Sequence, residues 1–174
     1  MRHRRLRKGR ILPTILDCAT IALVGATLWL VSETKQASNR AIGVETWLDL
    51  EKRFDSKEMK NARFRLAAQL LESDPLKNSR SFDTDVLELF DSIGIAYRLG
   101  YLNKELAEAS FSYYANRWWN AALPYIQQER QKSHDPSLFN GFEFFTAKTS
   151  RYDQTLSKED VAEFLKDEYS SNPN

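Results

Sequence analysis

Cysteine and histidine are almost absent from this chain. One cysteine, Cys18, and two histidines, His3 and His134, occur in 174 residues. A single cysteine cannot form a disulfide within the chain, and two histidines exclude a histidine-rich metal site. Composition leaves a carboxylate site for magnesium or calcium open, but no EF-hand or paired-aspartate loop is present. We therefore predict no metal ligand and no cofactor.

Glycine is scarce as well, with six residues in the whole chain. No segment alternates polar and apolar residues over the length of a strand, so the fold is predicted to be all-α. The sequence also lacks a nucleophile elbow, a P-loop and a dinucleotide fingerprint. No catalytic residue is predicted, and the sequence does not indicate an enzyme.

Only one long apolar run occurs, at residues 11–31, and its single charged residue is Asp17. A helix of this length reaches roughly 30 Å, the thickness of a bilayer's hydrocarbon core. We predict an N-terminal transmembrane helix here. A secretory signal peptide is the alternative, but the run exceeds the ~7–15 residues of a signal's apolar region, and no A-x-A site follows it.

The basic residues are distributed unevenly. Six of the 25 lie in the first ten positions, which leaves 19 basic against 24 acidic residues, a net charge of −5. A mildly acidic body does not favour nucleic acid as a partner. The basic start of the chain favours the lipid bilayer instead. The positive-inside rule then predicts a single-pass protein of the plasma (inner) membrane, with a cytoplasmic N-terminus and the helical domain on the opposite side.

Two features of the predicted span bear on association. Asp17 would form a helix–helix hydrogen bond or a proton-linked site, or would reach back to the interface. A stripe of small residues would let a second helix approach closely, so a homo-oligomer formed through this helix is predicted. The stripe consists of Cys18, Ala22, Gly25 and Ala26.

Apolar residues at helical spacing follow the span and predict a small bundle of about five helices. The predicted segments are a basic headpiece (1–10), the transmembrane helix (11–31), a juxtamembrane helix (32–55), a helical domain (56–169) and a disordered tail (170–174). Within the domain, Asp55 or Ser56 caps a helix over 57–73, and Asp83 opens a third helix, with Gly100 as the residue after its C-terminus. Asn103 caps a long helix that Pro124 should kink. The last two helices cover 137–148 and 158–169, the second starting at Ser157-x-x-Asp160, and loops cover 75–82 and 150–155.

Acidic residues cluster on two of these helices. Paired carboxylates at this spacing can bind a cation or act as acid and base. The apolar residues between them would supply a buried face, so a solvated helix face is the more typical reading. The clusters are Asp83, Asp85, Glu88 and Asp91, and Glu159, Asp160, Glu163, Asp167 and Glu168.

The densest aromatic patch is Tyr113-Tyr114 and Trp118-Trp119. Neighbours on a helix point in different directions, so Tyr114 and Trp118 are predicted to be core. Tyr113 and Trp119 would be partly exposed or packed on a neighbouring helix, and Arg117 could stack on an aromatic ring. An exposed group of this kind would form a partner or ligand surface; the alternative is a large aromatic core.

Residues 61–126 contain NARFRLAAQLL, then an apolar helix closing in LGYL, then an aromatic helix ending in WWNAALPYI. This pattern resembles a family of bacterial membrane-anchored proteins known only as a domain of unknown function. The resemblance covers residues 47–145, and it implies a span followed by helices without implying an activity or site residues.

Three functions are compatible with this sequence. The first is a membrane protein whose helical domain binds an unknown protein partner, or itself, near the membrane. The second is a membrane-tethered sensor or accessory subunit that binds a small ligand or cation, which a pocket lined by Tyr113, Arg117, Trp119 and acids would favour. The third is a carboxylate-only hydrolase, which needs two inward-facing acids at one pocket.

Overall fold

The computed structural model describes residues 11–72, 82–150 and 156–171, and this part of the chain contains α-helices and no strand. The helices are α1 (Ile11–Asp55), α2 (Lys57–Leu71), α3 (Asp85–Leu99), α4 (Lys104–Ser133), α5 (Asn140–Thr149) and α6 (Lys158–Ser170). The chain divides into two compact units, Met1–Ala41 and Ile42–Asn174. The all-α class and the five helices after the first are as predicted.

The prediction of a transmembrane helix at residues 11–31 is wrong. Across the described residues, no helix is long and apolar enough to cross a membrane. The predicted plasma-membrane localisation, single-pass topology and membrane anchoring are therefore wrong as well.

Four helix ends follow the predicted cap residues, whereas α3 begins at Asp85 after the N-cap Thr84 and not at Asp83. The Ser56 and Asn103 side chains accept hydrogen bonds from the backbone N–H groups of Met59 and Leu106, at 3.1 Å each. Ser157 and Asp160 form a reciprocal capping box at the start of α6. Gly100 ends α3 with φ of 77°, a left-handed conformation that glycine adopts without the steric cost of a Cβ.

The fifth helix begins later than predicted. Asp135 holds the preceding turn, because its Oδ1 accepts hydrogen bonds from the backbone N–H and the hydroxyl of Ser137. Phe139 has φ of 59°, so the helical backbone starts only at Asn140. The predicted basic headpiece and most of the predicted loops at 75–82 and 150–155 lie outside the described residues.

The core of the second unit is largely aromatic. α3 packs on α5 and α2 on α6, while α4 contacts both α5 and α6. Phe90 of α3 stacks on Phe142 of α5 with ring centroids 5.1 Å apart, and Phe54 at the end of α1 meets Phe90 edge-on at 6.0 Å. The apolar stripes read from the sequence therefore face one shared core.

The last turns of α1 belong to this unit. Trp47 Nε1 donates a hydrogen bond to Ser110 Oγ on α4 at 3.1 Å. A Cβ at Gly43 would lie 3.1 Å from the backbone nitrogen of Asn103, so the two backbones approach closely there. The segments predicted at 11–31 and 32–55 belong to one helix, α1 (Ile11–Asp55).

Candidate functional site

The structure separates the three α4 residues that the sequence grouped. Arg117 stacks on Tyr113, with its Cζ 3.6 Å from the ring centroid, and Tyr113 remains half exposed. Trp119 instead packs edge-on against Phe142 of α5 at 5.1 Å. Tyr113 and Arg117 thus share a face toward α6, while Trp119 belongs to the core side. No single surface combines all three.

A buried ion pair joins α2 to α6 beside that face. Arg63 Nε lies 3.3 Å from Glu168 Oε2, and the two side chains are only 10% and 9% exposed. Within the described residues, Arg63 Nε and Nη1 and Glu168 Oε2 have no hydrogen-bond partner. The two charges are therefore close enough to attract each other, but Arg63 Nε and Glu168 Oε2 do not form a well-aligned hydrogen bond.

Aromatic rings surround the Arg63 guanidinium. Its Cζ lies 4.3 Å from the centroid of the Phe54 ring and 5.7 Å from that of Tyr114. The quadrupole of an aromatic face attracts a cation, which partly offsets the loss of hydration. These contacts hold the guanidinium in place without using its N–H groups.

A cleft of ≈ 300 Å³ opens at this ion pair. It lies between α2, α4 and α6, and three aromatic side chains, two acids, one arginine and one serine line it. They are Arg63, Tyr113, Tyr114, Phe164, Asp167, Glu168 and Ser171. The cleft is at the lower end of the size range of small-molecule sites, about 300–1,000 Å³.

Burial changes the proton affinity of the acid in this cleft. Desolvation raises the pKa of Glu168 above its ordinary value of 4.5, against the opposing attraction of Arg63, and Asp167 raises it further. Burial removes the hydration that stabilises the charged carboxylate, and the attraction of Arg63 compensates for only part of that loss. Burial therefore favours the protonated form of Glu168.

The sequence reasoning did not single out Arg63 or assign a separate role to Glu168, although a signal was present. Arg63 lies in the same helical stripe as Met59, Ala62 and Leu66, all of which are buried. Glu168 continues the stripe of Phe164 and Leu165 on α6. A charged residue at a core position of an amphipathic helix indicates a buried charge, and buried charges need partners.

The first acidic cluster has structural contacts. Asp91 Oδ1 accepts hydrogen bonds from the backbone N–H groups of Gly141 at 2.8 Å and Phe142 at 3.1 Å, at the start of α5. Asp83 Oδ2 accepts a hydrogen bond from Arg65 Nε at 2.6 Å. These two carboxylates join helices of the domain.

The second cluster contributes one buried acid, Glu168, while its other members, including Asp167 at the rim of the cleft, are exposed. The two inward-facing acids that a hydrolase would need are thus not both found among these residues. Among the residues that the structure describes, no group of three or more His, Cys, Asp or Glu side chains could hold a metal ion.

The predicted association residues lie on α1. The side chains of Asp17 and Cys18 are outside the described residues. Ala22, Gly25 and Ala26 are exposed, and a Cβ at Gly25 would meet no other atom within 4 Å. The small residues that the sequence indicated are therefore open to a second molecule.

Fold and site define an all-helical protein with a buried arginine–glutamate pair at a small cleft. The chain matches a domain of unknown function (DUF4760) over residues 19–149 and belongs to that family. The resemblance to a domain of unknown function is confirmed, whereas nothing confirms a bacterial, membrane-anchored family. No curated protein and no solved structure matches the chain.

Proposed function

We propose that this protein acts by association, and that a second copy of the chain binds to α1. The observation that carries this proposal is a run of large apolar side chains on α1 that are 51–72% exposed: Ile21, Leu23, Val24, Leu28, Trp29, Leu30 and Val31. Exposed apolar area is unfavourable by roughly 25 cal/mol per Å², and contiguous patches of it mark interaction surfaces.

The spacing of these residues favours another copy of the same helix as the occupant. Ile21, Val24, Leu28 and Val31 recur at intervals of three, four and three residues, which places them on one seam of a helix. Two identical helices with such a seam are complementary to each other. The small residues Ala22, Gly25 and Ala26 offer a second face on which two copies could approach.

The test is the mass of the full-length chain in solution, measured by light scattering at micromolar concentration. We expect a multiple of the 20.2 kDa chain mass. The double variant Val24→Asp/Leu28→Asp should shift the protein to monomer, because two charges would then lie in the apolar seam. A monomeric wild-type protein would overturn the proposal.

A matched control is available in the second unit. Leu99 and Tyr101 are exposed apolar residues outside α1. The double variant Leu99→Asp/Tyr101→Asp introduces the same charges on an equally exposed surface and should leave the mass unchanged. Gly25→Leu fills the small-residue face, and a loss of association in this variant alone would place the contact there instead of on the seam.

Binding of a small ligand in the second unit is a second candidate function. One observation favours it: the cleft is lined by Arg63 and Glu168, and buried charged atoms of both side chains have no hydrogen-bond partner among the described residues. This candidate does not compete with association, because a sensor or accessory subunit can combine both.

A further inference from the structure

The unsatisfied atoms of Arg63 indicate what the cleft lacks. Arg63 Nε and Nη1 are buried N–H donors without a hydrogen-bond partner among the described residues. A buried donor left unpaired costs roughly 1–3 kcal/mol, and more when it is charged. A guanidinium presents its donors in a planar fork that matches the two oxygens of a carboxylate. The missing group on this side is an anionic acceptor of that shape.

Among the described residues, Glu168 Oε2 lacks a hydrogen-bond donor, whereas Arg63 Nε and Nη1 lack an acceptor. Glu168 Oε2 is an acceptor without a hydrogen-bond partner in the described part of the chain, and Asp167 lines the same cleft. Three aromatic rings, those of Tyr113, Tyr114 and Phe164, form the remaining walls. Carboxylates together with aromatic faces attract an ammonium group. The missing group on this side is a cationic donor.

A ligand with only one charge satisfies one half of the site and is repelled by the other. A simple anion on Arg63 would lie close to Glu168, because Arg63 Nε and Glu168 Oε2 are 3.3 Å apart. A simple cation on Glu168 would lie equally close to the guanidinium. A ligand that carries both charges a short distance apart pairs with both residues and is repelled by neither.

We propose that this cleft binds a free amino acid or a similar small zwitterion. The carboxylate lies on Arg63, the ammonium group on Glu168, and the apolar part of the ligand lies among the rings of Tyr113, Tyr114 and Phe164. The volume of ≈ 300 Å³ is suited to a molecule of this size. This inference rests on the ligand-binding candidate above and names the class of ligand for it.

The test is isothermal titration calorimetry of the full-length protein with each proteinogenic L-amino acid. L-Phenylalanine has two matched probes, since 3-phenylpropanoate lacks the ammonium group and 2-phenylethylamine lacks the carboxylate. Any other amino acid that binds is compared in the same way with its deaminated acid and its decarboxylated amine. We expect at least one amino acid to bind, and each one-charge analogue to bind about tenfold more weakly or worse.

Variants connect binding to the two charged residues. Arg63→Lys keeps the charge but loses the planar fork, and Glu168→Gln keeps the size but loses the charge; each should weaken binding about tenfold or more. Arg65→Lys is the control on the same helix, because Arg65 is exposed and pairs with Asp83 away from the cleft. If Arg63→Lys does not fold, Tyr113→Leu replaces it, since Tyr113 lines the cleft yet is half exposed.

The outcomes separate the ligand class from ligand binding itself. A deaminated acid or an amine that binds as well as the amino acid overturns the zwitterion proposal and leaves ligand binding standing. Absence of binding by every amino acid and analogue overturns both. Binding that is unaffected by the Arg63, Glu168 and Tyr113 variants places the ligand elsewhere and also overturns the proposal.

Discussion

Arg63 and Glu168 are the least expected residues of the buried interior. Each lies on the apolar stripe of its helix, where a hydrophobic side chain would normally be found. Desolvation of two charges is expensive, and their attraction returns that free energy only when geometry and hydrogen bonds are good. Here the geometry is poor, since three of the polar atoms are without hydrogen bonds among the described residues. The pair is therefore better explained by a role in binding than by stability.

Substitutions of Arg63 and Glu168 should show whether the pair contributes to the stability of the fold. Glu168→Ala leaves the buried charge of Arg63 without its counter-charge, and we expect the free energy of unfolding to fall by about 3–5 kcal/mol. The double variant Arg63→Met/Glu168→Leu removes both charges and keeps most of the volume. It should be as stable as the wild type or more stable, by up to about 4 kcal/mol. Urea unfolding followed by circular dichroism measures both.

The exposed ion pair of Arg65 and Asp83 provides the comparison. Arg65 is half exposed, so Arg65→Met should change the free energy of unfolding by about 1 kcal/mol or less. A double variant Arg63→Met/Glu168→Leu that is strongly destabilised would show that the buried pair contributes to stability, contrary to this interpretation.

Among the helices, α3 and α5 make the closest contact, and two glycines allow it. A Cβ at Gly94 would lie 1.8 Å from the carbonyl oxygen of Gly141, and one at Gly141 would lie 2.5 Å from the carbonyl oxygen of Asp91. At this contact Asp91 also accepts hydrogen bonds from the first N–H groups of α5. The short α5 is thus held by close backbone packing and by a carboxylate cap from a neighbouring helix.

Gly94→Ala should disrupt this contact. Backbone atoms cannot move away as a flexible side chain can, so the helices must separate, and we expect a loss of about 3 kcal/mol in the free energy of unfolding. Thermal and urea unfolding of the full chain test this expectation.

Ser92→Ala, at an exposed position of the same helix, is the control and should change stability by about 0.5 kcal/mol or less. Equal effects of the two substitutions would mean that α3 and α5 are not in close contact in solution.

The protonation of Glu168 should be visible in the stability of the whole molecule. Because the pKa of Glu168 is raised above its ordinary value of 4.5, the folded state holds this proton to higher pH than the unfolded chain does. Just above that value the native state binds more protons at this group, so its contribution to the free energy of unfolding declines as pH rises. Below the unfolded pKa the contribution is fully present.

Comparison with Glu168→Gln isolates this contribution. We expect the stability of the wild type relative to Glu168→Gln to be greatest below pH 4.5 and to decline as pH rises through the higher pKa of the folded state. Glu163→Gln, an exposed position on the same helix, corrects for the removal of one surface carboxylate. A relative stability that rises with pH would mean that Arg63 stabilises the carboxylate more than burial opposes it.

Much of the architecture could be predicted from the sequence, because the signals for it are local. Ser56, Asn103, Ser157 and Gly100 cap helices as predicted, since a cap satisfies backbone groups within a few residues of itself. The buried positions of Leu66, Phe90 and Trp118 follow from helical periodicity in the same way. The transmembrane prediction was wrong, since no helix of the described residues is long and apolar enough to cross a membrane.

The partner of each inward-facing side chain could not be predicted from local signals. Periodicity places Arg63 and Glu168 on buried stripes, but the packing of α2 against α6 decided that these two charges meet. The same holds for Asp91. The sequence alone indicates a surface acid, but the packing of α5 against α3 makes Asp91 a cap for the start of α5. The sequence by itself thus determined the helices and their inner faces. Only the tertiary structure decided which faces pack together, because that depends on contacts between residues far apart in the chain.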